Sequence, residues 1–241
     1  MTTYKEKPSN LIVLGILLSA AMVLAYTYYY TVDQPYLDKR MILHQEIIAG
    51  HAASPYQYRI LIPALGEVLY KVGALALPDR YAFALAYVLI DLSGISLLLI
   101  SIYYLLLQWF DWRYTLIGTL FCASVLTITY QEHYFQPWSF WEAGFFILAL
   151  LLIHKRQNMW LAILIFLASL NRETALLIPL VFLFTTQKSE NWFKGKWSID
   201  KQQLLLFAGY TLLWIVVYGS LRVFRPTVLH IESLRDIFFN N

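Results

Sequence analysis

Long apolar runs alternate with polar stretches along the whole chain. The first run, Leu11–Tyr30, holds about 20 residues, the length that an α-helix needs to cross the hydrocarbon core of a bilayer. Further apolar runs of helical length follow after polar breaks, at 60–77, 81–110, 114–130, 139–153, 159–170, 175–184 and 204–221. The pattern predicts an all-α polytopic transmembrane bundle of about seven or eight helices.

The polar stretch Thr31–Arg59 follows the first apolar run and has a periodicity of its own. Its apolar residues recur at helical spacing and are Leu37, Met41, Leu43, Ile47 and Ile48. This spacing predicts an amphipathic juxtamembrane helix in the first outer loop. No internal repeat, low-complexity tract or flexible linker divides the sequence, so residues 1–241 are predicted to form a single transmembrane domain.

The composition agrees with a lipid environment and excludes several other classes of protein. Hydrophobic residues make up 59% of the chain and charged residues only 14%, whereas a soluble domain carries about 25% charged residues. The net charge of +3 comes without a basic run, so nucleic acid is not an expected partner. Cys122 is the sole cysteine and cannot form an internal disulfide. The expected partner is the lipid bilayer.

Positive charges predict which side each end of a helix faces. Lys and Arg beside short loops favour the cytoplasm, and we assign three cytoplasmic anchors: Lys5 with Lys7, Lys155 with Arg156, and the four-lysine segment 188–201. The N-terminus is then cytoplasmic, and the plasma (inner) membrane is the expected location. An even number of crossings must connect each anchor to the next.

The even count has two consequences for the weaker apolar runs. Ile60–Leu77 is short and contains Glu67 and Lys71, so it is predicted to enter the outer side without crossing. Runs 159–170 and 175–184 are predicted to form a pair with an outer turn between them. The alternative is one long helix with Arg172 near the bilayer centre, which costs at least about 2.5–3.5 kcal/mol.

This topology gathers arginines and carboxylates on the outer face, against the usual bias of outer loops. A guanidinium group offers a planar fork of donors that suits phosphate, and a carboxylate can act as a general base or bind a metal. Together they indicate group transfer from a lipid-linked phosphate. The residues are Arg40, Arg59, Arg172, Arg222, Arg225 and Arg235, with Asp33, Asp38, Glu132 and Glu173.

Several short motifs occur in an order that is typical of one enzyme superfamily. They are the acidic loop Asp33-Gln34-Pro35-Tyr36-Leu37-Asp38, the stretch Ser54-Pro55-Tyr56-Gln57-Tyr58-Arg59 leading to Pro63, Asp91 in a long apolar run, Gln136 to Glu142, and the turn Asn171-Arg172-Glu173. Over residues 10–185 the chain resembles the C-type glycosyltransferase superfamily, which uses polyprenyl-phosphate-linked sugars. It is similar to the GPI mannosyltransferase I type and its bacterial relatives.

The resemblance implies a role for each matching residue. An acidic residue of the first outer loop would be the catalytic base or a metal ligand, which points to Asp33 first and Asp38 second. These two are five positions apart and form no tight Asp-x-Asp motif, so no metal ligand is assigned and a divalent cofactor stays open. Substrate binding would fall to Tyr58, Arg59, Glu132, His133, Gln136, Asn171, Arg172, Glu173 and Arg222.

The implied reaction is transfer of a sugar from a polyprenyl-phosphate donor to an acceptor on the extracytoplasmic face. Asp33 would take the proton of the acceptor hydroxyl, while arginines stabilise the departing lipid phosphate and the anomeric centre inverts. Members of this superfamily usually have more helices, so the chain is expected to be a minimal or partial member.

Two other functions fit the same sequence. The chain could be a transporter or flippase for a lipid-linked or small polar substrate, although it shows no paired repeat. It could also be a non-catalytic membrane subunit of a polysaccharide assembly system. Structural roles are open for single residues as well: Asp38 could cap the amphipathic helix, and Arg59 could bind lipid headgroups.

Overall fold

The computed structural model describes residues 9–131, 136–185 and 200–225, and every regular element in these ranges is helical. The all-α prediction is therefore confirmed for this part of the chain. Its α-helices are α1 Asn10–Tyr28, α2 Leu37–Ala49, α3 Leu61–Gly73, α4 Asp79–Leu106, α5 Trp112–Leu126, α6 Ser139–His154, α7 Asn158–Asn171, α8 Leu177–Thr185 and α9 Lys201–Phe224.

Three helical stretches are long and apolar enough to cross a membrane: Asn10–Ala49, Asp79–Leu106 and Lys201–Phe224. Shorter apolar helices accompany them at Ser139–His154 and Asn158–Asn171, and at Glu173–Thr185. Large apolar side chains are exposed on the outward surfaces of α1, α5 and α9. An apolar surface of this extent requires a nonaqueous neighbour, so the chain is a membrane protein.

Helix α4 is the centre of the bundle and packs against α1, α3, α5 and α6. Its most extensive contact is with α6, where Gly94 leaves room for the indole of Trp141. A Cβ atom at Gly94 would lie 2.7 Å from Trp141 Cδ1, and one at Gly144 would lie 3.0 Å from Leu97 Cγ. The indole Nε1 of Trp141 donates to the carbonyl of Ile90 at 3.1 Å. Small residues thus allow the two backbones to pack closely.

Helix α1 continues into α2 with little interruption. A π turn at Tyr29–Asp33 and a 3₁₀ turn at Gln34–Tyr36 lead directly into α2, which ends at Gly50 with a positive φ of 77°. Glycine adopts this left-handed conformation without strain. The predicted amphipathic helix is present, and α2 packs its inner face on α3 and α4.

The chain reverses direction between α7 and α8. Arg172 has an extended backbone (φ −161°, ψ 149°) that ends α7. The hydroxyl of Tyr210 on α9 donates to the carbonyl of Asn158 at 3.2 Å, and its ring packs edge-on against Phe182 with centroids 5.1 Å apart. Asn158 begins α7 and Phe182 lies near the end of α8, so these ends are neighbours. Runs 159–170 and 175–184 are therefore two helices with a turn between them, and no single helix passes through Arg172.

Candidate functional site

Polar residues from distant parts of the chain meet at one end of the bundle. The amide of Ile60 donates to the carbonyl of Leu170 at 3.0 Å, which joins the start of α3 to the end of α7. The side-chain amide of Asn171 donates to the carbonyl of Trp138 at 3.2 Å and joins α7 to the start of α6. These contacts assemble the segments that the sequence predicts on the outer face.

Arg59 and Glu173 form a forked ion pair at this end. Arg59 Nη2 donates to Glu173 Oε1 at 2.6 Å, and Nε donates to Oε2 at 3.3 Å. The guanidinium carbon also lies 5.5 Å from the Tyr56 ring and 5.1 Å from the Trp138 ring. Burial alone would raise the pKa of Glu173, but the hydrogen bonds and charge of Arg59 outweigh it and hold that pKa below the ordinary value. Glu173 is therefore ionised.

A second group lies beside this pair and joins α6 to the α7–α8 turn. The carboxylate of Glu142 accepts hydrogen bonds from the guanidinium of Arg172 and from the hydroxyl of Thr174. Together with Asn171, these residues line a cavity of about 10 Å³. Both arginines that the sequence assigned to phosphate binding in this region are thus held by carboxylates.

Arg222 and Arg225, near the end of α9, have a different environment. The Arg222 guanidinium lies over the rings of Tyr58 and Tyr218, 5.1 and 5.3 Å from their centroids. Arg225 donates to the carbonyls of Ile47 and Gln57, at 2.8 and 3.2 Å. Within the described ranges neither arginine has a carboxylate within 4.0 Å. Each of the two is therefore a cation without a carboxylate partner among the described residues.

Asp33 and Asp38 lie in unlike surroundings. Asp33 is 3% exposed, ends the π turn and forms an ion pair with Arg40. Single π turns are frequent at functional sites. Arg40 also interacts with Asp91 of α4, which is buried in the bundle. Asp38 is exposed in the first turn of α2, and its carboxylate lies 3.6 Å from Arg80. Of Asp33 and Asp38, only Asp33 is enclosed by protein.

A buried hydrogen-bonded group on α2, α3 and α4 was not predicted from the sequence. His44 is 2% exposed; its Nδ1 lies 2.8 Å from the Tyr87 hydroxyl and its Nε2 lies 2.9 Å from Glu67 Oε2. Glu67 Oε1 lies 2.9 Å from Lys71 Nζ. Burial opposes ionisation of Glu67, but hydrogen bonds from His44 and Lys71 outweigh it and hold the pKa of Glu67 below its ordinary value. The sequence offered one clue to this group: Arg40 and His44 are four positions apart, so they lie on the same face of a helix.

Of the remaining candidate residues, the structure describes Gln136. The side-chain oxygen of Gln136 accepts a hydrogen bond from Ser139 Oγ at 3.1 Å, beside the start of α6. Glu132, His133 and Arg235 lie outside the described residues. Where the structure is described, it contains no group of three or more His, Cys, Asp and Glu side chains arranged to hold a metal ion.

The chemistry available at this end follows from these contacts. It combines an enclosed carboxylate at Asp33, a forked ion pair at Arg59, a single ion pair at Arg172, and the cations Arg222 and Arg225. A carboxylate can accept a proton, and arginines suit phosphate oxygens. No protein family model, no curated protein and no solved structure matches this chain.

Proposed function

We propose that the chain is a membrane glycosyltransferase that moves a sugar from a polyprenyl-phosphate donor to an acceptor on the extracytoplasmic face. The observation that carries the proposal is the convergence of polar groups at one end of an apolar bundle. They come from the turns between α1 and α2, the starts of α3 and α6, the α7–α8 turn and the end of α9. The phosphate of a lipid-linked sugar lies at the membrane surface, next to such an end of the bundle.

The proposed topology makes this end extracytoplasmic. The N-terminus, Lys155 with Arg156, and segment 188–201 are cytoplasmic, in a polytopic bundle of about seven or eight helices. Helix α3 enters the outer side without crossing, and α7 and α8 form a crossing pair. In the opposite orientation the arginine-rich end would face the cytosol. Arginines beside membrane helices are usual on that side, so their clustering would no longer indicate a bound phosphate.

Asp33 is the proposed base. Arg40 holds its carboxylate in one position, and a positioned carboxylate can accept a proton. An enclosed base makes its contacts without competition from bulk water, whereas Asp38 is exposed. Removal of the acceptor proton by such a group contributes on the order of 10²–10⁴-fold to the rate.

Arginines are the proposed binding groups for the donor phosphate. Arg222 is held against Tyr58 and Tyr218 and has no carboxylate to displace among the described residues. Arg59 and Arg172 must exchange or share their carboxylates when a phosphate binds. Fixed donors that face the developing charge of the leaving phosphate stabilise the transition state.

The experiment is a transfer assay with purified protein in liposomes. The probes are radiolabelled undecaprenyl-phosphate mannose and undecaprenyl-phosphate glucose, with a membrane lipid extract supplying acceptors. Asp33→Asn is expected to reduce transfer by about 10²–10⁴-fold. The matched control is Asp111→Asn, because Asp111 caps α5 at the opposite end and asparagine caps equally well.

The outcomes distinguish Asp33 from Asp38 as the base and the enzyme from the two alternative functions. Transfer that depends on Asp33 supports it, and equal transfer by Asp33→Asn ends the assignment of the base. If Asp38→Asn abolishes transfer instead, the base is Asp38. Donor binding without transfer indicates a non-catalytic subunit, and donor movement across the bilayer without transfer indicates a flippase. Absence of both binding and transfer overturns the glycosyltransferase proposal.

A further inference from the structure

We propose that Asp33 and Asp91 form a buried proton-binding site, in which the two carboxyls hold one proton between them beside Arg40. Three elements bring these residues together: the π turn after α1, the start of α2 and the middle of α4. The site goes beyond the proposed function and does not depend on it, because it concerns the resting charge of these side chains.

Protein encloses all three side chains. Asp91 is 2% exposed and Arg40 is 4% exposed, so both are as inaccessible as Asp33. On the α1 side, the Tyr28 hydroxyl accepts a hydrogen bond from Arg40, and the Tyr28 ring packs edge-on against Tyr130 with centroids 5.0 Å apart. Bulk water therefore has little access, and charges at this position must be balanced by neighbouring protein groups.

Arg40 is the counter-ion that the two carboxyls share. It forms the ion pair with Asp33 and also attracts Asp91. An arginine stays protonated in proteins, so it supplies one positive charge. If both carboxyls were ionised, the site would carry a net negative charge, which is costly inside an apolar bundle. One bound proton makes the site neutral.

Each carboxyl has an oxygen that is free to hold this proton. Asp33 Oδ2 and Asp91 Oδ1 are buried, and neither has a hydrogen-bond partner in the part of the chain that the structure describes. Buried polar atoms in native proteins are nearly always paired, and an ionised oxygen without a donor is more costly than a neutral one. Because two such oxygens compete for one proton, the proton belongs to the pair. Asp33 contacts Arg40 directly, so Asp91 holds the proton for most of the time.

The titratable groups around Asp91 are either neutral or paired with a partner of their own. Three hydroxyls lie near it and are neutral at neutral pH: those of Tyr28 on α1, Tyr87 on α4 and Tyr130 after α5. The acids of α3 and α6 have their own cations: Glu67 lies 2.9 Å from Lys71 Nζ, and Glu142 pairs with Arg172. His44 of α2 is held between Tyr87 and Glu67. Arg40 thus remains the counter-charge for both Asp33 and Asp91.

Infrared spectroscopy at neutral pH tests the site, because the carbonyl band of a protonated carboxyl is separate from the bands of ionised carboxylates. Asp91→Asn is expected to remove the band intensity of one carboxyl. Asp33→Asn is expected to remove the same intensity, since Asp91 then pairs with Arg40 alone and ionises. Arg40→Met is expected to add the intensity of one carboxyl, because neither acid then has a cation.

The double variant and one control separate a shared proton from a merely buried acid. Asp33→Asn combined with Asp91→Asn should lose no more intensity than either single variant, whereas independent carboxyls would give additive changes. Asp38→Asn is the matched control, because it removes an exposed carboxylate at the start of α2 and should leave the band unchanged. Circular dichroism verifies that each variant is folded. If Arg40→Met does not fold, the two asparagine variants decide the result.

Equal losses in the two single variants support the site. An unchanged band in Asp91→Asn overturns it. Full wild-type intensity in Asp33→Asn also overturns it, since Asp91 would then be neutral through burial alone. These results are distinct from those of the transfer assay. A shared proton in a protein that transfers no sugar leaves the site standing and rejects the proposed function, and transfer without a shared proton does the reverse.

Discussion

Arg59 donates two hydrogen bonds to Glu173, across 114 positions of the chain. The first residue follows the loop after α2, and the second begins the short turn between α7 and α8. No local pattern in the sequence connects them. Their pairing fixes two segments at the same end of the bundle, which is the arrangement that a shared substrate site requires.

The Arg59–Glu173 pair is expected to stabilise the folded protein. Arg59→Met and Glu173→Gln should each lower the thermal unfolding temperature in detergent. The first leaves a half-buried carboxylate and the second a buried guanidinium without its charged partner. A double-mutant cycle should give a coupling of about 1–3 kcal/mol. The control is the exposed pair Arg80–Asp38, whose atoms are 3.6 Å apart; equal coupling in both pairs would contradict the assignment.

The packing of α4 on α6 should tolerate no methyl group at Gly94. Gly94→Ala would bring a Cβ to 2.7 Å from Trp141, so the indole must move and its hydrogen bond to Ile90 is strained. We expect a destabilisation of about 1–3 kcal/mol. Gly15→Ala is the matched control, since nothing lies within 4 Å of that position. Similar unfolding temperatures for the two variants would argue against close packing at Gly94.

Thiol labelling will test the proposed topology. In a Cys122→Ser background, Asp38→Cys and Lys155→Cys each supply one exposed thiol. A membrane-impermeant maleimide applied to intact cells should label the cysteine at position 38, and should label that at position 155 only after permeabilisation. Labelling of both positions from one side would reject the orientation and, with it, the extracytoplasmic site.

Acidification should weaken the contact between α2 and α3. The pKa of Glu67 is held below its ordinary value of 4.5, so the folded state favours the ionised form. This contribution is present above the ordinary pKa and is lost as the pH falls through the lowered one. Unfolding temperatures measured from about pH 6 to about pH 3 should therefore fall less steeply for Glu67→Gln than for the wild type. Parallel curves would exclude this role for Glu67.

Arg222 should contribute to donor binding more than to stability. Arg222→Gln removes an exposed cation whose nearest partners are aromatic rings. Loss of a hydrogen bond to a charged group costs about 1.5–3 kcal/mol, so the Kd for undecaprenyl-phosphate mannose should rise by roughly tenfold or more. Arg113→Gln, beside Trp112 at the start of α5, is the control. An unchanged Kd for Arg222→Gln would remove Arg222 from the binding site.

Hydropathy and helical spacing predicted much of the fold, for a physical reason. A membrane helix satisfies its backbone hydrogen bonds internally and needs an apolar surface along its whole length, so its presence is written into a continuous stretch of sequence. The amphipathic spacing from Leu37 to Ile48 predicted α2, and the polar residues at 171–174 predicted the break between α7 and α8. Both elements are present.

The candidate site was predicted only in outline. Asp33, Arg59 and Arg172 were identified as unusual because each is charged beside an apolar run. The sequence did not reveal that Arg59 pairs with Glu173, or that Arg172 pairs with Glu142. Beyond the four-residue spacing of Arg40 and His44, it gave no sign of the hydrogen bonds around His44.

By itself, the sequence determined that the chain is a helical membrane protein, where its helices run and where they break, because these properties depend on neighbouring residues. Only the tertiary structure decided which charges are neutralised and which carboxylate is enclosed. Those outcomes depend on how each helix is rotated and which helix lies beside it. Side-chain packing between segments far apart in the chain sets that rotation, as Trp141 against Gly94 shows.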